Sequence, residues 1–353
     1  MAYSTILKPS DYFNTKLWNG NSSTQAITGV GFQPDFVWGK QRTGTQSHQL
    51  LDVLRGANNI LTSNTDAAAL ADSNILNSFD SDGYTLGNQN QLNDTGYTYV
   101  GWNWKAGTTS GITTNGSTNI TPSGYSFNAT SKFSVIKWSG SGVDGAYLPH
   151  GLGVAPSVAI IKKTSASEEW VVYHIGLQSN QAYLRLNNNA AKVTSSGIWY
   201  SYTPDATNIR LSNDTWVNAS GSDYVGYFFS NTSGYQKHGL YNGNGNATKP
   251  AFIYTGFKPA FVMLKVTSVA DSWNMYDNRR LGYNGTGARL KADSTNAEDT
   301  GTAYQTCNFY SNGFSPQGND LTSNQSGTPY IYMAFAETPF VANSGDSVPT
   351  TAR

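Results

Sequence analysis

One ten-residue stretch occurs three times in this chain and limits what the chain can fold into. Each copy reads Gly, an apolar residue, any residue, Pro, any residue and then a mostly apolar run that ends in Lys; the copies are residues 31–40, 153–162 and 256–265. A Gly- and Pro-containing turn that leads into a short apolar run predicts a buried β-strand. Because 353 residues exceed what one hydrophobic core usually serves, we expect three similar modules.

Other features keep a nearly constant distance from each copy. A His or Trp follows each closing Lys after eight residues, and these residues are His48, Trp170 and Trp273. Each module then closes on an aromatic strand that contains a small residue, namely Gly101, Gly226 or Ala334. We expect the small residue to let a facing side chain or backbone approach closely.

These features predict an all-β fold of three tandem β-sandwich modules, of the jelly-roll or lectin-like type, with roughly eight strands each. The predicted segments are an N-terminal leader (1–10), module 1 (11–106), a linker rich in Gly, Ser, Thr and Asn (107–132), module 2 (133–232), module 3 (237–340) and a polar tail (341–353). A long ordered excursion is the alternative for 107–132. The alanines at 67–71 predict one or two helical turns. Pseudo-threefold packing, as in a fused trimer, and an arrangement in line are the alternatives for the three modules.

Charge and cysteine content argue against several classes of protein. Lys plus Arg and Asp plus Glu number 22 each, so no net field attracts nucleic acid or an anionic membrane. Cys307 is the only cysteine, which excludes an intrachain disulfide and a cysteine-based metal cluster. No apolar run approaches the roughly 20 residues that span a bilayer. We expect no secretion signal at the N-terminus.

Two Asx-Gly pairs predict tight hairpins at residues 79–84 and 309–314. Asp-Gly and Asn-Gly tolerate the positive φ angles of a type I′ turn, so we expect the flanking aromatic residues to pair across each turn. Module 2 has Ile209, Arg210 and Leu211 in the corresponding region without such a pair. Its hairpin is therefore expected to have another turn.

The histidines and carboxylates indicate structural roles, and no catalytic, cofactor-binding or metal-binding residue is predicted. His48 and His174 stand at positions where other modules carry Trp or Asp. Asp52, His174 and Asp277 share one position, and an Arg follows each Asp within three residues, which predicts a local ion pair or turn cap. Residues 80–83 resemble the start of a calcium loop, but no Glu closes it at the twelfth position, so a turn is predicted.

Aromatic residues outside the recurrent positions are the candidates for binding a glycan. The chain has 9 Trp and 22 Tyr among many amides and hydroxyls, a composition compatible with sugar recognition. Most of these aromatic residues recur at fixed positions, which predicts core or cross-strand packing. Trp104, Trp199 and Trp216 fall outside the pattern and remain as possible glycan contacts.

The ordered set of motifs resembles a group of uncharacterised repeat proteins encoded by tailed phages, especially marine ones. The motifs that carry the resemblance are residues 256–262, 273–277, 309–314 and 330–337 in module 3, 150–156 in module 2 and 79–84 in module 1. The resemblance covers roughly residues 12–340. It implies a virion structural protein with lectin-like β-sandwich modules, of the tail-fibre or surface type, and it brings no catalytic residues.

From this resemblance we expect a non-enzymatic protein of the virion surface, assembled in the host cytoplasm, that serves as a tail fibre or appendage or as a capsid decoration. Its expected partners are other virion proteins and copies of itself, with a trimer favoured, and neither nucleic acid nor a membrane. The alternative is a glycan-binding module for receptor recognition. A polysaccharide depolymerase is disfavoured, because it needs paired carboxylates and charges are sparse. The leader (1–10) and the linker (107–132) are the expected attachment segments.

Overall fold

The computed structural model describes residues 4–201, 203–280, 284, 287–300 and 306–340. Within these ranges the secondary structure is nearly all β, with two four-residue α-helices and two 3-10 turns, Pro9–Asp11 and Ile175–Leu177. The prediction of an all-β fold is confirmed. No helix in this part of the chain is long and apolar enough to cross a membrane. The predicted tail, 341–353, lies outside the described residues.

Module 1 contains a four-stranded sheet of order β1-β9-β3-β4, a three-stranded sheet of order β2-β8-β7 and a β5-β6 ribbon. Its elements are β1 (Phe13–Asn19), β2 (Gln25–Ile27), β3 (Phe36–Gln41), β4 (Gln49–Asp52), β5 (Asn59–Ile60), β6 (Leu70–Ala71), β7 (Leu76–Asp80), β8 (Gly83–Leu86), α1 (Asn90–Asn93) and β9 (Thr98–Trp104). The helical turns predicted at 67–71 are wrong, because Leu70 and Ala71 pair with β5 instead.

Module 2 contains a seven-stranded sheet of order β10-β11-β18-β13-β14-β15-β16 and a β12-β17 pair. Its elements are β10 (Gly124–Asn128), β11 (Phe133–Ser139), β12 (Ala146–Pro149), β13 (Val158–Lys163), β14 (Val171–His174), β15 (Ala182–Arg185), β16 (Val193–Thr194), α2 (Ser196–Trp199), β17 (Asn208–Leu211) and β18 (Asp223–Phe229). Strand β10 and the buried Ile120 come from the segment predicted as a linker. That segment is therefore an ordered part of module 2.

Module 3 contains a five-stranded sheet of order β19-β26-β21-β22-β23 and a three-stranded sheet of order β20-β25-β24. Its strands are β19 (Gln236–Asn242), β20 (Ile253–Tyr254), β21 (Phe257–Val266), β22 (Asn274–Asp277), β23 (Leu290–Lys291), β24 (Cys307–Tyr310), β25 (Gly313–Pro316) and β26 (Pro329–Pro339). The larger sheets have four, seven and five strands, and four strands follow the same order in each: β1-β9-β3-β4, β11-β18-β13-β14 and β19-β26-β21-β22. The strand of each recurrent stretch, β3, β13 or β21, lies between the closing strand and a short hairpin strand.

Side chains on each of these central strands alternate between two cores, because successive residues of a strand point to opposite faces. On β3, Phe36 and Trp38 belong to a core shared by all three modules, and Val37 belongs to a core within module 1. The same alternation assigns Val158 and Ile160 of β13, and Phe261 and Met263 of β21, to the shared core. Both faces of each central strand are buried, so these strands read as continuous apolar runs.

The shared core joins the modules in pairs through aromatic rings. Ring centroids lie 4.3 Å apart for Phe36 and Tyr227, 5.6 Å for Phe229 and Phe335, and 5.5 Å for Trp102 and Phe261. Each module thus contacts both of the others, and the three are not arranged in line.

The described part of the leader also belongs to the fold. Ile6 is 3 % exposed and lies in the shared core, Ser4 is buried, and Thr5 N donates to Ser233 O at 3.0 Å. Part of the predicted leader therefore packs against the modules.

Both predicted Asx-Gly hairpins form, as β7–β8 and β24–β25, and the aromatic residues pair across them: Phe79 with Tyr84, and Phe309 with Phe314. The predicted type I′ turn is wrong, because the two central residues of each turn, 81–82 and 311–312, come before the glycine and have no positive φ. Gly83, directly after its turn, has a φ of 143°. Close contacts with a neighbouring strand also require each glycine. A Cβ at Gly83 would lie 2.0 Å from Ile27 O, and one at Gly313 would lie 2.2 Å from Ile253 O, on the neighbouring strand.

The glycines of the closing strands serve the close approach that the sequence predicted. A Cβ at Gly101 would lie 2.5 Å from Tyr84 Oη and 3.1 Å from the Trp18 ring, and one at Gly226 would lie 3.1 Å from the Trp138 ring. The missing side chain makes room for an aromatic ring of the local core.

We expect Gly101→Val to lower the free energy of unfolding by about 1–3 kcal/mol, because the added atoms overpack the Trp18 and Tyr84 rings. Gly116→Val is the matched control, since no atom lies within 4 Å of a Cβ built there. Guanidinium unfolding followed by tryptophan fluorescence measures both. Equal stability of the two variants would contradict the packing role of Gly101.

Candidate functional site

The residues eight positions after each recurrent Lys connect the modules by hydrogen bonds. Each donates a ring N–H to a backbone carbonyl of another module: His48 Nε2 to Lys291 O (2.9 Å), Trp170 Nε1 to Thr62 O (2.9 Å) and Trp273 Nε1 to Arg185 O (2.8 Å). Module 1 thus bonds to module 3, module 3 to module 2 and module 2 to module 1. The bonds close a ring around the shared core and give His48 a structural role.

A second ring of hydrogen bonds starts from the position shared by two aspartates and a histidine. Its members are Tyr227 Oη to Asp52 Oδ2 (2.8 Å), His174 Nε2 to Tyr332 O (3.0 Å) and Trp102 Nε1 to Asp277 Oδ2 (3.0 Å). This ring links module 1 to module 2, module 2 to module 3 and module 3 to module 1. All three residues at the shared position are buried.

The two aspartates of this ring also cap a turn and bind an arginine, as the sequence predicted. Asp52 Oδ1 accepts the N–H of Arg55, and its Oδ2 lies 2.6 Å from Arg55 Nε. Asp277 holds Arg280 in the same way, at 2.5 Å, and Arg280 also pairs with Glu298 at 2.9 Å. Each carboxylate binds a guanidinium and accepts a backbone N–H of its turn, so both have a structural role and neither is available as a general acid or base.

The closing lysines of the three recurrent stretches are buried and satisfied by backbone carbonyls. Each Nζ donates to the carbonyl of the next residue, at 2.6 Å for Lys40, 2.6 Å for Lys162 and 2.9 Å for Lys265. Lys40 and Lys265 also reach another module, at Thr295 O and Asn189 O. Burial lowers the pKa of each of these lysines to about 8.

The buried histidines are neutral at pH 7. His174 Nδ1 accepts the Gly176 N–H at 2.9 Å while Nε2–H donates to Tyr332 O, which fixes the tautomer. Burial lowers the pKa of His174 and of His150 to about 4, and it lowers the pKa of His48 and His238 well below the usual value.

The calcium-like stretch is a turn held by hydrogen bonds. The exposed Asp82 carboxylate accepts the N–H groups of Gly29 at 2.8 Å and Gly31 at 2.7 Å, and these bonds lower its pKa. Asp80 accepts the hydroxyls of Ser78 and Thr85, both at 2.7 Å. Among the described residues, no three His, Cys, Asp or Glu side chains are grouped as a metal site requires.

Two of the three predicted glycan contacts lie in the interior. Trp104 is 2 % exposed in the shared core, and Trp199 is 1 % exposed in the core of module 2, so neither presents a ring face to solvent. Trp216 is half-buried, and the Arg185 guanidinium lies 5.3 Å from its ring centroid. The structure does not bring the three together on one surface.

An open pocket of about 390 Å³ lies at one end of the β12–β17 pair in module 2. Three loops form it: residues 140–145, the segment 196–201 that includes α2, and residues 212–213. Its lining combines one aromatic ring with a carboxylate, an amide and hydroxyls, from Asp144, Ser196, Tyr200, Ser201, Ser212 and Asn213. The volume falls in the range of small-ligand sites, and the lining is more polar than is usual for them.

A cation between two aromatic rings supports one wall of this pocket. The Arg210 guanidinium lies 4.0 Å from the ring centroid of Tyr200 and 5.0 Å from that of Tyr147, and its Nε donates to Gly145 O at 2.8 Å. A Cβ at Gly145 would lie 2.7 Å from Arg210 Nη2 and 3.0 Å from Tyr200 Cε1. Gly145 therefore has no room for a side chain.

The sequence prediction missed an asparagine whose side chain holds the pocket loop by hydrogen bonds. An Asn stands six residues before each closing-strand Tyr, as Asn93 and Tyr99, Asn218 and Tyr224, and Asn324 and Tyr330. In module 2, Asn218 Oδ1 accepts Ser141 N–H at 2.8 Å and its Nδ2 donates to Val143 O at 3.0 Å, which positions the loop that carries Asp144. The recurrent Asn-x5-Tyr spacing is the signal that could have revealed it.

Comparison with known proteins gives a family for this fold. The model of the family described as "Domain of unknown function (DUF7483)" matches residues 8–339. The chain belongs to the DUF7483 family. The DUF7483 match spans all three modules and includes the shared core. No curated protein and no solved structure shows significant similarity to the chain.

We expect Asp277→Asn to cost about 3–5 kcal/mol of unfolding free energy, because the buried Arg280 loses its nearest carboxylate. Asp299→Asn is the control, since Asp299 pairs with Arg289 at 2.9 Å but its side chain is 40 % exposed; about 1 kcal/mol or less is expected there. Urea denaturation compares the two. A cost at Asp277 no greater than at Asp299 would show that Glu298 alone is enough to compensate the buried Arg280.

We expect the unfolding free energy to fall as the pH drops from 6.5 towards 4. The pKa of His174 is about 4 in the folded chain and about 6.5 when unfolded, so the unfolded chain binds more protons in this window and stability rises with pH. His174→Gln keeps a donor for Tyr332 O without titrating. Its stability should change less steeply, by about 1.4 kcal/mol per pH unit, in denaturation series from pH 4 to 7. Parallel curves for the two proteins would rule out this contribution.

Proposed function

We propose that this DUF7483 chain is a non-enzymatic structural protein of a phage virion, exposed on the particle as a tail fibre or appendage or as a capsid decoration. The observation that carries the proposal is the closed association of three sheets around one shared core. The three larger sheets of this one chain surround a common core, as one sheet from each subunit would in a trimer. The resemblance of its motifs to phage repeat proteins points in the same direction.

The interior supports a role in which the protein persists outside a cell. Cys307 is the only cysteine and is buried, so no intrachain disulfide contributes to stability. Stability comes instead from apolar area buried on both faces of the larger sheets and from the hydrogen bonds that connect the modules. These interactions need neither a metal nor a redox environment.

The same core limits how copies of the chain associate. The inner faces of the three larger sheets are covered within one chain, so a homo-oligomer has to use the outer loops and the smaller sheets. We retain a trimer as the favoured state, together with contacts to other virion proteins. Attachment through the leader (1–10), the segment 107–132 or the outer surface is part of this proposal; of the leader, Ile6 already packs in the shared core.

Copy number per virion tests this proposal. Quantitative mass spectrometry of purified particles, scaled to the major capsid protein, should find the chain in the virion. Parity with the capsid protein identifies a capsid decoration, and a copy number of a few trimers or hexamers identifies a tail appendage. Absence from purified particles, with the chain present in the lysate, would overturn the proposal.

A further inference from the structure

The pocket of module 2 has a prearranged aromatic wall. Arg210 covers one side of Tyr200 at 4.0 Å and is itself fixed by Gly145 O and by the Tyr147 ring. A cation stacked on a ring restrains that ring. Little side-chain entropy is then lost when a ligand packs against Tyr200, which favours binding.

The backbone around this wall is held in a costly conformation. Tyr200 and Ser201 have φ angles of 46° and 47°, in the left-handed region that residues with a side chain seldom adopt. Such conformations are strained and are concentrated at ligand sites. In this chain both residues line the pocket.

The rim offers hydrogen-bonding groups of both kinds. Asp144, Ser201 and Asn213 are exposed, and together they present a carboxylate, a hydroxyl and an amide. Asp144 Oδ1 accepts the Asn213 N–H at 3.3 Å, but a carboxylate has about four acceptor positions. Hydrogen bonds to an ionised carboxylate are among the stronger ones.

A ligand that fits this lining has an apolar face for the ring and several hydroxyls for the rim. A pyranose has both, because its C–H groups lie on one face and its hydroxyls project from the edge. The Asp144 carboxylate at the rim repels a sugar acid, while the Arg210 cation stacks on Tyr200 and is not among the residues that line the pocket. The electrostatics therefore favour a neutral sugar.

A second pocket of similar size, about 380 Å³, lies between modules 1 and 2 and lacks these features. No aromatic ring lines it, and its charged residues are occupied: Arg55 with Asp52, Lys137 with Leu54 O and Asp223 with Ser139. It offers no stacking face for a sugar.

The sheet in module 1 that corresponds to β12–β17 also lacks the wall. Tyr147 and Arg210 are opposite each other in module 2, whereas Ala26 and Thr85 are opposite each other in module 1. The stacked arrangement is thus particular to module 2 when these two sheets are compared.

We propose that the pocket at Asp144, Tyr200 and Asn213 binds a neutral pyranose unit of a glycan, with Tyr200 as the stacking platform and Asp144 as the principal hydrogen-bond acceptor. The site is distinct from Trp104, Trp199 and Trp216. It gives the glycan-binding alternative a location, and it can be tested on the purified chain, independently of the virion role.

A glycan array and saturation-transfer NMR on the full chain test this proposal. The NMR probes are the methyl glycosides of glucose, galactose, mannose and N-acetylglucosamine, with those of glucuronic acid and N-acetylneuraminic acid as anionic comparisons. We expect binding to at least one neutral probe, in preference to the anionic ones. Tyr200→Ala should weaken it at least tenfold, and Tyr200→Phe, which keeps the ring, should retain most of it.

Tyr254→Ala is the matched control, because Tyr254 is 54 % exposed and also lies beside a cation, Lys237 at 5.2 Å, but belongs to module 3. It should bind like the wild type. Asp144→Ala, at an exposed residue, should also weaken binding. If circular dichroism shows that Tyr200→Ala does not fold, the binding of Asp144→Ala decides the test. Absence of binding to every neutral glycan, a preference for the anionic probes, or a loss in Tyr254→Ala equal to that in the pocket variants would each overturn the proposal.

Discussion

The shared apolar core is the constraint on which the rest of this structure depends. Because the three larger sheets bury one face there and the other face in a local core, their central strands have no solvent side. A strand that is buried on both faces can carry a polar residue only where the polar group has a hydrogen-bond partner. The lysine that ends each recurrent stretch is an example: its ammonium group is buried and donates a hydrogen bond to the backbone carbonyl of the next residue.

Buried polar groups at the contacts between modules specify which modules are neighbours. The hydrogen-bond partner in the neighbouring module differs at each contact. It is a tyrosine hydroxyl for Asp52, a backbone carbonyl for His174 and an indole N–H for Asp277. A module placed beside the wrong neighbour would leave at least one of these groups unpaired, at a cost of roughly 1–3 kcal/mol for a neutral group. The polar pairs therefore act against wrong arrangements of three otherwise similar apolar faces.

The sequence predicted the regular parts of this fold well, because they depend on local pattern. The recurrent stretches became central strands, and the two Asx-Gly hairpins formed with their aromatic pairs. The turn type was wrong, since the glycine of each pair lies just after the turn; Gly83 also meets the backbone of β2, which is distant in sequence. Trp104 was misjudged for a related reason: it was taken to fall outside the recurrent positions, but it packs in the shared core, which only the tertiary fold brings together. The pocket was out of reach, because Asp144, Tyr200 and Asn213 meet only through the tertiary fold.

The stacked wall of the pocket, present in module 2 and missing from the matching sheet of module 1, bears on valency. A homotrimer of identical subunits carries three equal sites at distances set by its own symmetry. A single chain with three sheets is free to keep one site and let the others change. If the proposed site binds its glycan, each chain supplies one such pocket, and avidity depends on how many chains are held together and how far apart they stand. In the proposed homotrimer, the geometry of multivalent binding would be set by the contacts between chains and not by the three sheets within one chain.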